Sequence, residues 1–218
     1  WIHGSAFRVG QAIGAFGADT EGSEFAKKGV IVVGVNHRLG RAGWFAHPAL
    51  SKEPGLTGNY GNMDQLAGLK WVKANIAAFG GDPGQVTVVG ESAGAMSILN
   101  LMISPEAKGL FQRAVVESGF ARTEPTPRAE AEANGLKPAE AAGVKGDGPE
   151  AAAALRKLPL SALGGPSGIT SPGRPFPMMD GRLYVESVIA GFTAGHEAKI
   201  PLIIGGNSNE ASLTRPGA

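Results

Sequence analysis

The stretch "VTVVGESAGAMS" (Val86 to Ser97) places one serine, Ser92, between Gly90-Glu91 and Ala93-Gly94. A serine hydroxyl is a weak nucleophile until the backbone holds it out of the fold and an adjacent base takes its proton. The pentapeptide fits G-x-S-x-G, but with 13 serines and 34 glycines in the chain it would arise by chance roughly 0.3 times. Its context carries more. An apolar strand runs straight into the motif and helix-favouring residues leave it, the arrangement in which such a turn has mechanical meaning. A strand that reverses so tightly into a helix needs nearly side-chain-free residues two before and two after the serine, and Gly90 and Gly94 meet that need. The amide of Ala93, at the positive end of the following helix, would point to where an oxyanion forms. A second segment, "WIHGSAF", has a strand ending in His3-Gly4 followed by the small residues Ser5 and Ala6. Its consecutive amides could converge on the same oxyanion, although taken alone the segment also reads as an ordinary strand-end turn.

These residues must be positioned by strands and helices that alternate. "VIVVGVN" (Val30 to Asn36) is a continuous β-branched run, the pattern of a central parallel strand covered on both faces. "VTVVG" (86 to 90), "RAVVESG" (113 to 119) and "IPLIIGG" (200 to 206) repeat it, and Trp1-Ile2 reads as the stump of another strand. Leu66, Leu69, Val72, Ile76 and Phe79 recur at helical spacing before Gly80, Gly81 and Pro83 stop the helix. A second helix should follow Ser92 through Met96, Leu99 and Ile103. Alternation of this kind predicts a doubly wound, mostly parallel α/β sheet with its site at the carboxyl ends of the strands. Residues 121 to 177 are rich in Ala, Pro, Gly and Glu, with a helical "PEAAAALRKLPLSAL" (149 to 163). They read as a lid or excursion outside the sheet, or else as a solvated surface connection.

Composition narrows the function. The 218 residues are 43% hydrophobic and 18% charged, enough for one well-buried domain. A net charge of +1 gives no broad basic surface for nucleic acid, and no run of about 18 apolar residues could span a bilayer. No cysteine is present, so disulfides and thiolate metal sites are excluded while the compartment and oligomeric state stay open. Histidines and carboxylates do not cluster at metal-ligand spacing, and no phosphate-binding loop is found, so neither a metal nor a cofactor is expected. The acidic pair Glu130 and Glu132 reads as a solvated face.

Together "WIHGSAF", "VNHRLGRAGWFA", the block from Gly58 to Ser97, "GLFQRAVVESG", "FPMMDG" and "IPLIIGGNSNEASL" resemble, in order, the landmarks of the type B carboxylesterase family. This is the cholinesterase-like and para-nitrobenzyl-esterase-like branch of the α/β-hydrolases. The resemblance implies that Ser92 is the nucleophile, Glu210 the triad acid, and the amides of Ser5, Ala6 and Ala93 the oxyanion donors. Gly4, Gly90, Glu91, Gly94 and Ser118 would support them. It also implies a small carboxylic ester as substrate and no cofactor. Ser5 stands where that family usually has glycine. The family's chain order requires a histidine after Glu210, and all four histidines (His3, His37, His47 and His196) precede it. The expectation is therefore an internal fragment of a longer hydrolase, a partial domain over 1 to 218, incomplete at both ends and inactive alone. A non-catalytic binding or adhesion module of the same family is the alternative, and the histidine of the parent sequence would discriminate the two.

Overall fold

The structure is a computed structural model that describes residues 1–13, 22–55, 58–119, 124–163 and 175–210. Three parallel strands form its sheet in the order β1 (Thr87–Glu91), β2 (Arg113–Glu117) and β3 (Leu202–Gly205). Thr87 pairs with Arg113 and Glu91 with Glu117, while Ala114 pairs with Leu202 and Glu117 with Gly205. The three strands therefore end in one row. Eight helices accompany them among the described residues: α1 (Ser23–Ala26), α2 (Gly40–Gly43), α3 (Pro48–Ser51), α4 (Tyr60–Asn75), α5 (Ala93–Ile103), α6 (Arg128–Ala141), α7 (Pro149–Lys157) and α8 (Val188–Ala194).

Each strand predicted from an apolar run is found except the first. Val30 to Gly34 form no ladder, and only Val35 bridges Ile2, which in turn bridges Gly90. Val33 and Val35 are tied to Trp1 by two backbone hydrogen bonds, of 2.7 and 3.1 Å, and Val30 and Ile31 are exposed. Burial along β1 and β2 alternates instead of running continuously. Val88, Ala114 and Val116 are buried in a core shared with α5. Val89 and Val115 line an open groove of about 860 Å³, bordered by Leu69, Val72 and Ile76 of α4 and the turn after it. On β3, Ile203 and Ile204 are 70% and 56% exposed, so its apolar composition does not correspond to cover on both faces.

Helix α4 buries Leu66, Leu69 and Val72, and a 3-10 turn (Ile76–Phe79) continues it to Gly80 at φ +83°. That tightening rotates Phe79 off the expected apolar stripe: it is 63% exposed and lies 5.6 Å from the Trp71 ring. Helix α5 is buried at ten of its eleven positions, which explains a sequence apolar on every side. Helix α6 has no counterpart in the sequence reading because its buried positions, Ala131, Gly135 and Ala139, are small. A Cβ at Gly135 would stand 1.7 Å from the carbonyl oxygen of Ala46, so close approach of two backbones replaces side-chain interdigitation there. With α7, this region builds a satellite cluster around Phe45, Ala49, Ala139, Val144 and Leu155, away from the sheet core. The helix read over 149 to 163 is two pieces, α7 and a 3-10 turn at Leu160–Leu163, separated at Pro159.

Candidate active site

Ser92 connects β1 to α5 with φ +50° and ψ −117°, a conformation that L-residues adopt only when their surroundings over-determine it. The surroundings are visible. Its amide donates to the Glu117 carbonyl of β2 at 2.8 Å, and its own carbonyl accepts from Met96 at 2.9 Å, opening α5. Gly90 and Gly94 meet across the turn: a Cβ at Gly90 would lie 2.8 Å from the Gly94 carbonyl carbon and 2.9 Å from the Ile2 carbonyl oxygen. A Cβ at Gly94 would lie 2.0 Å from that same oxygen. Because backbone cannot yield as a side chain can, Gly94→Ala is expected to destabilise the protein by about 3 kcal/mol or more. Denaturant unfolding of the full-length variant measures it, and a midpoint equal to that of the wild type would show that the turn is looser than described.

The segment of His3 to Phe7 comes against this turn from the neighbouring position in the sheet, where the Ile2 amide donates to Val89. A Cβ on Gly4 would lie 2.3 Å from Glu91 Oε2 and 3.0 Å from Ser92 Cβ, so backbone touches the serine directly. Ser5, Ala6 and Phe7 follow at φ +78°, +55° and +63°. Three successive non-glycine residues in the left-handed region are rare, and each costs about 1 to 2 kcal/mol. The turn closes with the Arg8 amide donating to the Ser5 carbonyl at 3.1 Å. Ser5 thus occupies a conformation that glycine adopts more readily than any L-residue. A left-handed turn presents consecutive N–H groups on one side, the geometry of an anion cradle. Ala93, as the first residue of α5, carries an amide that the helix itself leaves unpaired.

Glu210 lies five residues beyond β3, at the carboxyl edge where Ser92 follows β1 and Ser118 follows β2. Ser118 repeats the strained turn at φ +53°, and its amide donates to the Gly205 carbonyl. Its hydroxyl donates to Glu210 Oε1 in a short hydrogen bond. The same oxygen accepts from the Asn207 amide at 2.8 Å and from Asn207 Nδ2 at 3.1 Å. These donors, the Asn207 amide first, hold the Glu210 carboxyl below the usual carboxylate range, so it is ionised at neutral pH. Glu91 behaves oppositely, since burial and the nearby charges of Glu117 and Glu210 raise its carboxyl. Asn207 was not singled out from the sequence. The available signal was its place three residues before an acid in a polar turn, where Asn commonly ties down a loop.

None of the four histidines stands beside Glu210. His3, His37 and His47 are buried in the segments before Ser92, where His47 Nδ1 accepts from the Ala49 amide. His196 pairs with Glu186 at 2.8 Å near the far end of α5, where the Ala198 amide donates to Met102. Ten residues of helix put that end about 15 Å from Ser92. Among the described residues no group of three or more His, Asp or Glu could hold a metal ion, and no helix is long and apolar enough to cross a membrane. Glu130 is exposed, and Glu132 is paired with Arg128 on the surface of α6.

Residues 1–217 match the carboxylesterase family. Over 213 residues the chain is 40% identical to the fumonisin B1 esterase of Sphingopyxis macrogoltabida, covering 96% of this chain and 38% of that protein. It is 52% identical to the para-nitrobenzyl esterase of Bacillus subtilis (strain 168) over 126 residues, 56% of this chain and 24% of the esterase. The solved structure of the Geobacillus stearothermophilus carboxylesterase EST55 superposes with a TM-score of 0.82 at 36% identity, over 98% of this chain and 44% of its own. The parallel sheet with its helices is thus a part of the α/β-hydrolase fold of these esterases. The chain spans less than half the length of each.

Proposed function

The chain belongs to the carboxylesterase family, and on that premise we propose that it carries the acylating part of a serine carboxylic-ester hydrolase. Ser92 Oγ attacks the ester carbonyl while its proton passes to a histidine. The tetrahedral oxyanion rests on the amides of Ser5, Ala6 and Ala93; its collapse expels the alcohol, which leaves with the proton. Water activated by the same histidine then hydrolyses the acyl-enzyme to the free acid. Glu210, held ionised by Asn207 and Ser118, orients that histidine and stabilises its imidazolium. The histidine itself belongs to the part of the longer protein outside these 218 residues, since His196 is engaged by Glu186 at the opposite end of α5. The chemistry needs no cofactor. Residues 1 to 218 constitute part of one hydrolase domain, and the stretch from 121 to 177, which includes α6 and α7, is its lid or an excursion from the sheet. A small-molecule carboxylic ester, uncharged or weakly polar and of moderate size, is the substrate class, and the relatives named fumonisin B1 esterase and para-nitrobenzyl esterase support an ester substrate.

One observation carries this reading: the backbone of Gly4, which leads directly into the left-handed turn at Ser5 to Phe7, packs against the Glu91 carbonyl and the Cβ of the strained Ser92. Strain gathered on both sides of one contact is what a pre-formed oxyanion site requires. The test is to treat the full-length protein with an organophosphonate ester and map the adduct by mass spectrometry. The adduct is expected on Ser92. A protein that hydrolyses esters while labelled at another serine would overturn the assignment, and one that is neither labelled nor hydrolytic would be a binding module.

A further inference from the structure

The left-handed turn is unfavourable for three successive non-glycine residues, so contacts outside it must hold it. Both its flanks end in rings. His3, directly before Gly4, is buried and stacks on the buried imidazole of His37, with ring centroids 4.3 Å apart and planes 20° off parallel. Phe7, the last left-handed residue, meets the Trp44 ring edge-on at 4.8 Å. His37 and Trp44 meet each other in turn, at 6.1 Å and 83°. The four rings therefore close a circuit, His3 to His37 to Trp44 to Phe7, and Gly4, Ser5 and Ala6 are the backbone strung between its first and last members. The Gly40 amide, from the segment that carries both outer rings, donates to the Phe7 carbonyl at 2.8 Å.

We infer that His37 is a positioning residue for the oxyanion turn, its flat imidazole serving as the plate against which His3 is held and the amides of Ser5 and Ala6 are aimed. The inference rests on the proposed role of those amides. The plate must be uncharged. Burial, followed by the neighbouring His3, holds the His37 pKa down to about 4, and burial also lowers His3, so both rings are neutral at working pH. The nearby acid, Asp64 of α4, is engaged by Arg38 at 2.7 Å. His37 Nδ1 and His3 Nε2 make no hydrogen bond among the described residues, so shape and stacking, not polar bonding through those atoms, join the pair.

A phenylalanine should then replace His37 better than a small residue can. In the full-length protein, His37→Ala is expected to lower kcat for p-nitrophenyl acetate about 30-fold or more with KM changed less than about threefold, because the oxyanion forms only after binding. The rate of Ser92 phosphonylation should fall in parallel. His37→Phe, which keeps a flat neutral ring, is expected to recover kcat to within about threefold of wild type. If the alanine variant fails to fold, His37→Leu, apolar but not flat, takes its place against the phenylalanine. Wild-type kcat in the alanine or leucine variant, a loss confined to KM, or a phenylalanine variant as impaired as alanine would each overturn the inference. In those cases wild-type protein labelled at Ser92 keeps the esterase reading intact, whereas wild-type protein that is not labelled there removes both.

Discussion

Ser92→Ala in the full-length protein is expected to lower kcat for a carboxylic ester about a million-fold, the scale reached when the nucleophile of a serine hydrolase is deleted. The residual rate would come from the oxyanion amides and from binding alone. The loss should be chemical and not structural. The Ser92 side chain makes no capping bond to α5, and its backbone ties to Glu117 and Met96 do not involve the hydroxyl. Alanine at φ +50° inherits the same backbone strain, so the unfolding free energy should stay within the range of a neutral substitution, about 0.5 kcal/mol. Steady-state kinetics with a p-nitrophenyl ester, beside a denaturation curve, separates the two effects. Retention of a tenth of the wild-type rate would mean that another group attacks the carbonyl.

The second large effect is expected at Glu210. Glu210→Gln keeps the length and one carbonyl oxygen, so the Asn207 amide and the Ser118 hydroxyl retain an acceptor, but the negative charge is gone. A neutral amide neither stabilises an imidazolium nor enforces the tautomer that leaves the other ring nitrogen free to accept the serine proton. The expected loss in kcat is about 10³- to 10⁴-fold, with KM little changed. The sign of its pH dependence follows from the lowered carboxyl: Glu210 is ionised well below neutrality, so its titration is not expected to set the acid limb of the pH–rate profile, and measuring that profile checks it. A glutamine variant with wild-type kcat would remove Glu210 from the triad.

How much of this could be read from residues alone differs by element, for physical reasons. The β1–Ser92–α5 unit was legible because apolar run, glycine pair and apolar helix are local signals that agree with one another. The helix over residues 60 to 79 was legible for the same reason, up to the last turn, where a 3-10 tightening no hydrophobic pattern records turned Phe79 outward. The Val30–Asn36 run misled because an apolar run states what could be buried and not what pairs with it: its backbone is tied through Val33 and Val35 to Trp1 and Ile2. Helix α6 was invisible because it packs through Ala131, Gly135 and Ala139, and small residues leave no apolar period. At the candidate site the glycines could be placed in advance, since each answers a steric demand of the turn. The grip of Asn207 on Glu210 and the stacking of His37 on His3 bring together residues whose relation only the folded sheet edge creates.

On the proposed mechanism the strained Ser92 and the left-handed turn at Ser5 to Phe7 form one pre-organised oxyanion site. A crystal structure of the full-length protein inhibited by an organophosphonate tests it most directly. The expected result is a phosphorus bonded to Ser92 Oγ, with its phosphoryl oxygen about 3 Å from the amide nitrogens of Ala6 and Ala93 and turned towards Ser5. A phosphoryl oxygen directed to solvent, or a turn at Ser5 to Phe7 that has left the left-handed region, would contradict it.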